Sequence, residues 1–267
     1  MYKYFILLLF IASISPAGQA QQLLSEKELQ QTKVFRSLKE ALNFPDEVYR
    51  LKLHRKNFTR IPPQVFQLKK LQHLSLSLNK ISKIPPQIAL LSNLQVLVLS
   101  GNQLTHLPKE LKQLKYLRQL TCSKNQFRDL PVVVTQIPTL EKVYFDDNQI
   151  KAIPNAFWNL PLLAHASFGN NRLTQLGAGI QNAQNLELLF VPGNQLKILP
   201  TEIDQLRNLK SLYLAQNQLT QLPKSLAKLR RLVLLSIYGN PAQLIQQQDQ
   251  ITQMLPIVRI EFIKGIY

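Results

Sequence analysis

The fold is decided by Leu94-Gln95-Val96-Leu97-Val98-Leu99-Ser100-Gly101-Asn102-Gln103-Leu104, a stretch that recurs along the chain with one fixed spacing. Leu97 and Leu99 alternate with Val98, and this two-residue period predicts a short strand with both leucines inward and the valine outward. Asn102 stands where the chain leaves the strand and must turn. Each copy of the stretch therefore predicts one strand followed by one bend.

The unit repeats every 23 residues, without insertion or deletion, from Val48 to about Tyr238. Nine turns fit this period, and they begin at Val48, Leu71, Leu94, Leu117, Leu140, Leu163, Leu186, Leu209 and Leu232. Because each turn supplies one strand, stacked turns predict a parallel sheet over a continuous apolar core. Such a core needs no metal or cofactor to fold.

An asparagine recurs at the bend of every turn after the first: Asn79, Asn102, Asn125, Asn148, Asn171, Asn194, Asn217 and Asn240. Its amide is expected to satisfy backbone groups that the bend leaves unpaired, on its own turn and the next. The first turn has Lys56 there and Asn57 one residue later. Most turns continue with Leu-Pro or Ile-Pro, but Gly177 replaces the proline in the sixth turn. With Ala166 and Ala183 in that turn as well, we expect the solenoid to be loosest there.

These residues resemble the 23-residue leucine-rich repeats with the pattern L-x-x-L-x-L-x-x-N-x-L-x-x-L-P-x-x-I-x-x-L-x-x. The resemblance covers about three quarters of the chain, and it looks like exported bacterial members such as those of spirochaetes and Bacteroidetes. It implies an α/β solenoid: a curved horseshoe with a parallel concave β-sheet, about nine repeats and a binding role. It does not identify the ligand.

Residues 1–20 are typical of a signal peptide, with a positive charge at Lys3, an apolar run and small residues at Gly18 and Ala20. The apolar run has about half the length that a bilayer-spanning helix needs, which argues against a membrane anchor. Cleavage after Ala20 would expose Gln21, with no following cysteine to carry a lipid. We expect an exported mature chain without a membrane span, either periplasmic or secreted.

The remaining segments are expected to be a helical cap over residues 21–47, repeats over 48–240 and a C-terminal cap over 241–267. At the front, Ser25 and Glu28 match a capping box, and apolar residues keep helical spacing up to Pro45. This pattern predicts a helix that covers the open leucines of the first turn. At the back, Pro241 begins an amphipathic segment that ends near Leu255, and alternation over residues 258–262 predicts a last strand.

Aromatic and acidic side chains collect at the outward strand positions of the second half of the repeats. The candidate partner-binding residues are Tyr144, Asp146, Asp147, Leu188, Phe190, Tyr213, Leu234 and Tyr238. Aromatic residues surrounded by small ones are typical anchors of protein interfaces, although strands favour aromatic residues in any case. We expect a non-catalytic scaffold that binds a protein partner on its concave face.

The formal charge of +17 supports a different function class. Such a charge favours anionic partners, but it is also typical of a solvated outer face that keeps a long solenoid soluble. The alternative function is therefore binding of a polyanion, such as a sulfated glycan or lipopolysaccharide, with Arg50, Lys52 and Arg55 as candidate residues. Nucleic acid is disfavoured because the basic residues are not interleaved with stacking aromatics.

The sequence offers no constellation for catalysis. The four histidines lie in different turns without metal-ligand spacing, and the only cysteine, Cys122, takes an inward strand position. Asp146-Asp147-Asn148 could suggest calcium, but Asn148 is assigned to the bend and hard cations take six or more oxygens. No P-loop, G-x-G-x-x-G motif or nucleophile elbow is present. We therefore predict no enzyme activity, metal or cofactor.

Overall fold

The computed structural model describes residues 23–263, so the predicted signal peptide lies outside the described residues. Eleven strands form one open, curved sheet in which every pair is parallel and strand order follows chain order. They are β1 (Val34–Phe35), β2 (Arg50–Lys52), β3 (His73–Ser75), β4 (Val96–Val98), β5 (Gln119–Thr121), β6 (Lys142–Tyr144), β7 (His165–Ser167), β8 (Leu188–Phe190), β9 (Ser211–Tyr213), β10 (Leu234–Ser236) and β11 (Arg259–Glu261).

The repeat period sets the register of the sheet. In β3 and β4, His73 lies opposite Val96 and Ser75 lies opposite Val98, one period apart. Leu97 and Leu99 are fully buried, whereas Val98 between them is only partly buried. The parallel sheet expected from the alternation and the curved horseshoe implied by the resemblance are both confirmed. Equivalent outward residues stand side by side on the concave face.

On the outer side, the chain returns through short 3₁₀ helices, most of which begin after a proline. They span Pro45–Glu47, Pro63–Gln67, Pro86–Leu90, Lys109–Gln113, Val132–Gln136, Asn155–Asn159, Ala178–Asn182, Thr201–Gln205 and Lys224–Lys228. Gly177 has φ 77°, a value that proline cannot adopt, which explains the exception in the sixth turn. The sixth turn also contributes Phe168 to a buried aromatic cluster, in which Phe157 packs against Trp158 and Phe168 with ring centroids 5.1 and 5.4 Å apart.

The recurring asparagines form a buried ladder, but its direction differs from the expected one. Asn171 donates to the carbonyls of Phe168 and Gly169 in its own turn, and also to that of Phe145 in the preceding turn. Its Oδ1 accepts from the amide of Ile150, again in the preceding turn. The prediction that each asparagine reaches the next turn was therefore wrong. The first turn needs no asparagine of its own because Asn79 reaches back to it.

The N-terminal cap also differs from the single helix that the apolar spacing suggested. Two short helices, α1 (Glu26–Gln31) and α2 (Leu38–Asn43), flank strand β1. Val34 and Phe35 pair with Arg50 and Leu51, and Phe35 is fully buried. Pairing satisfies the exposed edge of β2, which a helix could not do, so the strand replaces the middle of the expected helix.

The C-terminal cap follows the expected order of helix and strand. The amphipathic segment forms α3 (Ala242–Ile245) and α4 (Gln248–Met254), and both helices contribute buried residues. Strand β11 then pairs with β10, aligning Leu235 with Ile260. Both ends of the repeat stack are thereby closed by an extra strand that is not part of a full repeat.

Candidate binding face

The candidate site is the concave face, where the two outward residues of each three-residue strand form parallel columns. One column contains Tyr144, Phe190 and Tyr213, and the other contains Leu188 and Leu234. All five are partly buried, which leaves part of each apolar surface accessible. Tyr238 follows β10 and is also partly buried, so the aromatic residues lie on the rear half of the face.

Phe190 and Tyr213 form a pair on adjacent strands, with ring centroids 5.2 Å apart and an interplanar angle of 53°. Gly169 lies against Phe190, since a Cβ there would stand 2.7 Å from the Phe190 ring. The absence of a side chain at Gly169 leaves room for that ring. The two side chains are thus fixed by the strands and by each other, and neither must be ordered on binding.

Tyr144 lies two strands from Phe190, about 10 Å across the sheet. Its hydroxyl is 3.3 Å from His165 Nδ1. Burial, followed by the negative charges of Asp146 and Glu26, raises the pKa of the Tyr144 hydroxyl. Burial lowers the pKa of His165, so both groups are neutral at pH 7 and present an apolar surface with a polar edge.

Asp146 is held in place by its neighbours across three turns. Its Oδ2 accepts from Ser123 Oγ at 3.1 Å, and its Oδ1 accepts from Ser167 Oγ at 2.5 Å and from the amide of Gly169 at 2.8 Å. Asp147, the next residue, accepts from Asn170 Nδ2 at 2.9 Å. The carboxylate of Asp146 therefore has a fixed orientation, and three neutral donors stabilise its negative charge.

The basic residues of the first turn share their surroundings with Arg36, which the sequence did not single out because it lies outside the repeats. Burial lowers the pKa of Lys52, with Arg50 and Arg36 adding to the effect. Arg50 Nη1 donates to the carbonyls of Gln30 at 2.6 Å and Thr32 at 3.3 Å. Lys52 and Arg55 remain on the surface, whereas the Arg50 guanidinium is hydrogen-bonded to the N-terminal segment.

That N-terminal segment is the feature of the concave face that the sequence did not predict. Residues 23–32 lie along the amino-terminal ends of the strands nearest the N-terminal cap, from β2 to β6, which we call the front strands. Leu24 bonds to the side chains of Gln72 and Gln95, and Glu26 reaches Lys142 of β6 at 3.3 Å. No sequence pattern marks these contacts, because they join residues as many as 116 positions apart.

The described residues contain no group of three or more side chains suited to a metal ion. His54 Nε2 lies 2.8 Å from Ser75 Oγ in the next turn, and Ser75 Oγ lies 3.2 Å from Ser77 Oγ, so the histidine and two serines form a hydrogen-bonded chain without a carboxylate. Cys122 is fully buried, and burial raises the pKa of its thiol. A buried protonated thiol is a poor nucleophile.

Leucine-rich-repeat family models match residues 46–89, 93–114 and 208–229 of this chain. The chain is a leucine-rich-repeat protein. It resembles bacterial members: a leucine-rich-repeat protein of Leptospira interrogans is 32% identical over 82% of this chain, with a TM-score of 0.67. This chain covers 62% of the Leptospira protein, less than two thirds of its length.

Two further solved structures share the fold. The ectodomain of the Arabidopsis thaliana receptor kinase GASSHO1/SCHENGEN3, solved with CASPARIAN STRIP INTEGRITY FACTOR 2, is 32% identical over 68% of this chain and 23% of its own length, with a TM-score of 0.58. An internalin of Listeria monocytogenes is 18% identical over 89% of this chain and 75% of its own, with a TM-score of 0.65. The internalin shows similarity of fold alone.

No sequence match is found among curated proteins. The leucine-rich-repeat fold is typically a non-catalytic scaffold. Within residues 23–263, no helix has the length and apolar character needed to cross a bilayer.

Proposed function

We propose that this leucine-rich-repeat protein is an exported, non-catalytic scaffold that binds a protein partner with the rear half of its concave face. The observation that carries the proposal is the Phe190–Tyr213 pair, two accessible aromatic rings 5.2 Å apart on adjacent strands. Rigid aromatic anchors of this kind supply a large share of the binding energy in protein interfaces.

The surroundings of the pair support an interface. Leu188 and Leu234 add apolar area beside it, Tyr144 and Tyr238 extend it along the face, and all four are partly accessible. Because the strands hold these side chains in place, the scaffold loses little conformational entropy when a partner binds. An interface of this type is stabilised by burial of apolar surface and is insensitive to salt.

Acidic groups beside the pair favour a partner with a basic segment. The Asp147 carboxylate accepts one hydrogen bond from the described residues, at Oδ1, and the residue stays partly exposed, so its second oxygen can accept from a partner. Asp146 is already satisfied by three donors, and it contributes mainly through its charge. Charges at the edge of an interface set orientation and association rate more than affinity.

Export is part of the proposal and rests on residues 1–20, whose pattern is typical of a signal peptide. Mass spectrometry of the protein from its native host would find the mature chain beginning at Gln21 in the periplasm or culture medium. Recovery of a chain that starts at Met1 from the cytoplasm would contradict export but leave the binding face untouched.

The binding proposal is tested by a pull-down from cell-envelope and host-cell extracts with residues 21–267 as bait, eluted with stepped salt. The test variant is Phe190→Ala/Tyr213→Ala, and the control is Tyr116→Ala, which removes an exposed aromatic ring that is not part of the proposed patch. A protein retained through high salt by the parent and the control, but lost by the variant, supports the proposal. Removal of the pair is expected to cost at least about 2 kcal/mol, or roughly thirtyfold in Kd.

A second candidate function is polyanion binding at the first turn, favoured by the clustering of Arg36 with Lys52 and Arg55. Retention on heparin should fall steeply as salt is added, since it depends on screened charges. Lys52→Glu/Arg55→Glu should elute at markedly lower salt than the parent. Equal elution of the two proteins would place the interaction elsewhere on the basic surface.

A further inference from the structure

The chain binds the main-chain N–H and C=O groups of one of its own residues, Leu24, at the amino-terminal ends of β3 and β4. The amide of Leu24 donates to Gln72 Oε1 at 3.0 Å, and its carbonyl accepts from Gln95 Nε2 at 2.8 Å. The two glutamine side chains also bond to each other at 2.8 Å. Together they hold both main-chain polar groups of a single residue, as a neighbouring β-strand would.

The two glutamines are buried, with Gln72 2% and Gln95 5% exposed. Buried amides are costly unless they are hydrogen-bonded, and Leu24 supplies the pair with one donor and one acceptor. The equivalent positions in later turns are Arg118 and Glu141, which are more exposed. The glutamine pair is therefore a local feature of the front turns and not a property of every repeat.

Two more contacts between the N-terminal segment and the strands lie along the same edge of the sheet. Arg50 on β2 donates to the carbonyls of Gln30 and Thr32. Lys142 on β6 pairs with Glu26 at 3.3 Å. β2 and β6 are four strand spacings apart, about 19 Å. Most of these bonds involve main-chain atoms of the segment, which any peptide could supply. The pairing with Lys142 is the exception, because it requires an acidic side chain in the bound peptide.

We propose that the amino-terminal edge of the front strands is a peptide-binding groove, which residues 23–32 fill in the free protein. A segment of the protein partner takes over this groove in the same conformation, with a short helix after the residue bound by Gln72 and Gln95. The preferred segment has an acidic residue two positions after the residue bound by Gln72 and Gln95, and an apolar residue three positions later. Leu24, Glu26 and the buried Leu29 occupy these places in the free chain.

The segment is suited to displacement because Leu29 is the only buried residue among residues 23–32. Helix α1 has six residues, which is too short to be stable alone. Strand β1 follows directly and stays paired with β2 when the segment leaves, so the end of the sheet remains covered. The tethered segment lowers the affinity for an external peptide, and a partner must outcompete it.

The inference rests on the proposed function only in that the partner is a protein, since it uses none of the rear aromatic residues. The probe is a fluorescein-labelled peptide of residues 23–33, whose side chains carry no net charge at pH 7, and its binding is followed by fluorescence anisotropy. The receptor is residues 21–267 with Glu26→Lys/Leu29→Asp, changes that weaken the tethered segment. Gln31→Lys is the control, because it gives the same net charge change at an exposed position of α1.

The opened variant should bind the peptide at least tenfold more tightly than the parent or the control, and Gln72→Ala/Gln95→Ala in the opened variant should abolish binding. Phe190→Ala/Tyr213→Ala in the same background should leave peptide affinity unchanged, so failure of the rear patch and failure of this groove are distinguishable. Equal binding of a scrambled peptide, or no binding by an opened variant whose circular dichroism matches the parent, would overturn the proposal.

Discussion

Replacing Asn171 by alanine tests whether the asparagine ladder holds adjacent turns together. The substitution removes an amide that donates at 2.9 Å to Phe145 O and at 3.0 Å to Phe168 O, and a carbonyl that accepts at 3.0 Å from Ile150 N. These backbone groups are in a water-excluded bend, since Asn171 is only 7% exposed. Three buried groups that each lose a bond worth about 1 kcal/mol give an expected loss of about 3 kcal/mol in unfolding free energy.

The assay is urea unfolding followed by circular dichroism, combined with hydrogen exchange of the Ile150 amide. Asn159→Ala is the matched control, because Asn159 is exposed and its side chain bonds only to the exposed Asn182 among the contacts described. The control should change stability by less than about 0.5 kcal/mol. The Ile150 amide should exchange faster in the Asn171 variant alone. Equal stability of the two variants would refute the idea that the ladder couples neighbouring turns.

Two further predictions concern backbone strain and pH. Gly101→Ala should lower the unfolding free energy by about 1–2 kcal/mol, because Gly101 has φ 67° and a Cβ would meet Leu78 Cδ2 at 2.7 Å. The control is Lys124→Gly, at the equivalent left-handed position with φ 56°, which should be neutral or slightly stabilising. Equal losses of stability in thermal unfolding would contradict this reasoning. Burial, followed by the charges of Lys52 and Arg50, lowers the pKa of His73 from 6.5 to about 4. The neutral form is favoured by folding, so this stability is present above pH 6.5 and is lost as pH falls towards 4. Urea titrations at pH 7 and pH 4 should show that His73→Gln reduces the acid-induced loss of stability, and an unchanged loss would contradict the assignment.

The sequence determined the architecture because the strand alternation, the repeat period and the bend residue all predict the same fold. The alternation at Leu97, Val98 and Leu99 sets strand and face, the period sets the register, and Asn102 marks the bend. In a stack where each turn contacts only its neighbours, local pattern and tertiary packing carry the same information. The columns of the concave face, with Phe190 beside Tyr213, follow directly from counting residues.

Only the tertiary structure decided how the N-terminal cap is arranged and where it contacts the repeats. The helical spacing around Val34 and Phe35 gave way to a strand, because pairing with the edge of β2 is worth more than helix propensity. The groove occupied by Leu24, and the pairing of Glu26 with Lys142, join residues far apart in sequence that no period relates. Repetition predicts contacts between equivalent positions, whereas the placement of a non-repeated segment depends on individual side chains that it contacts, here Gln72 and Gln95.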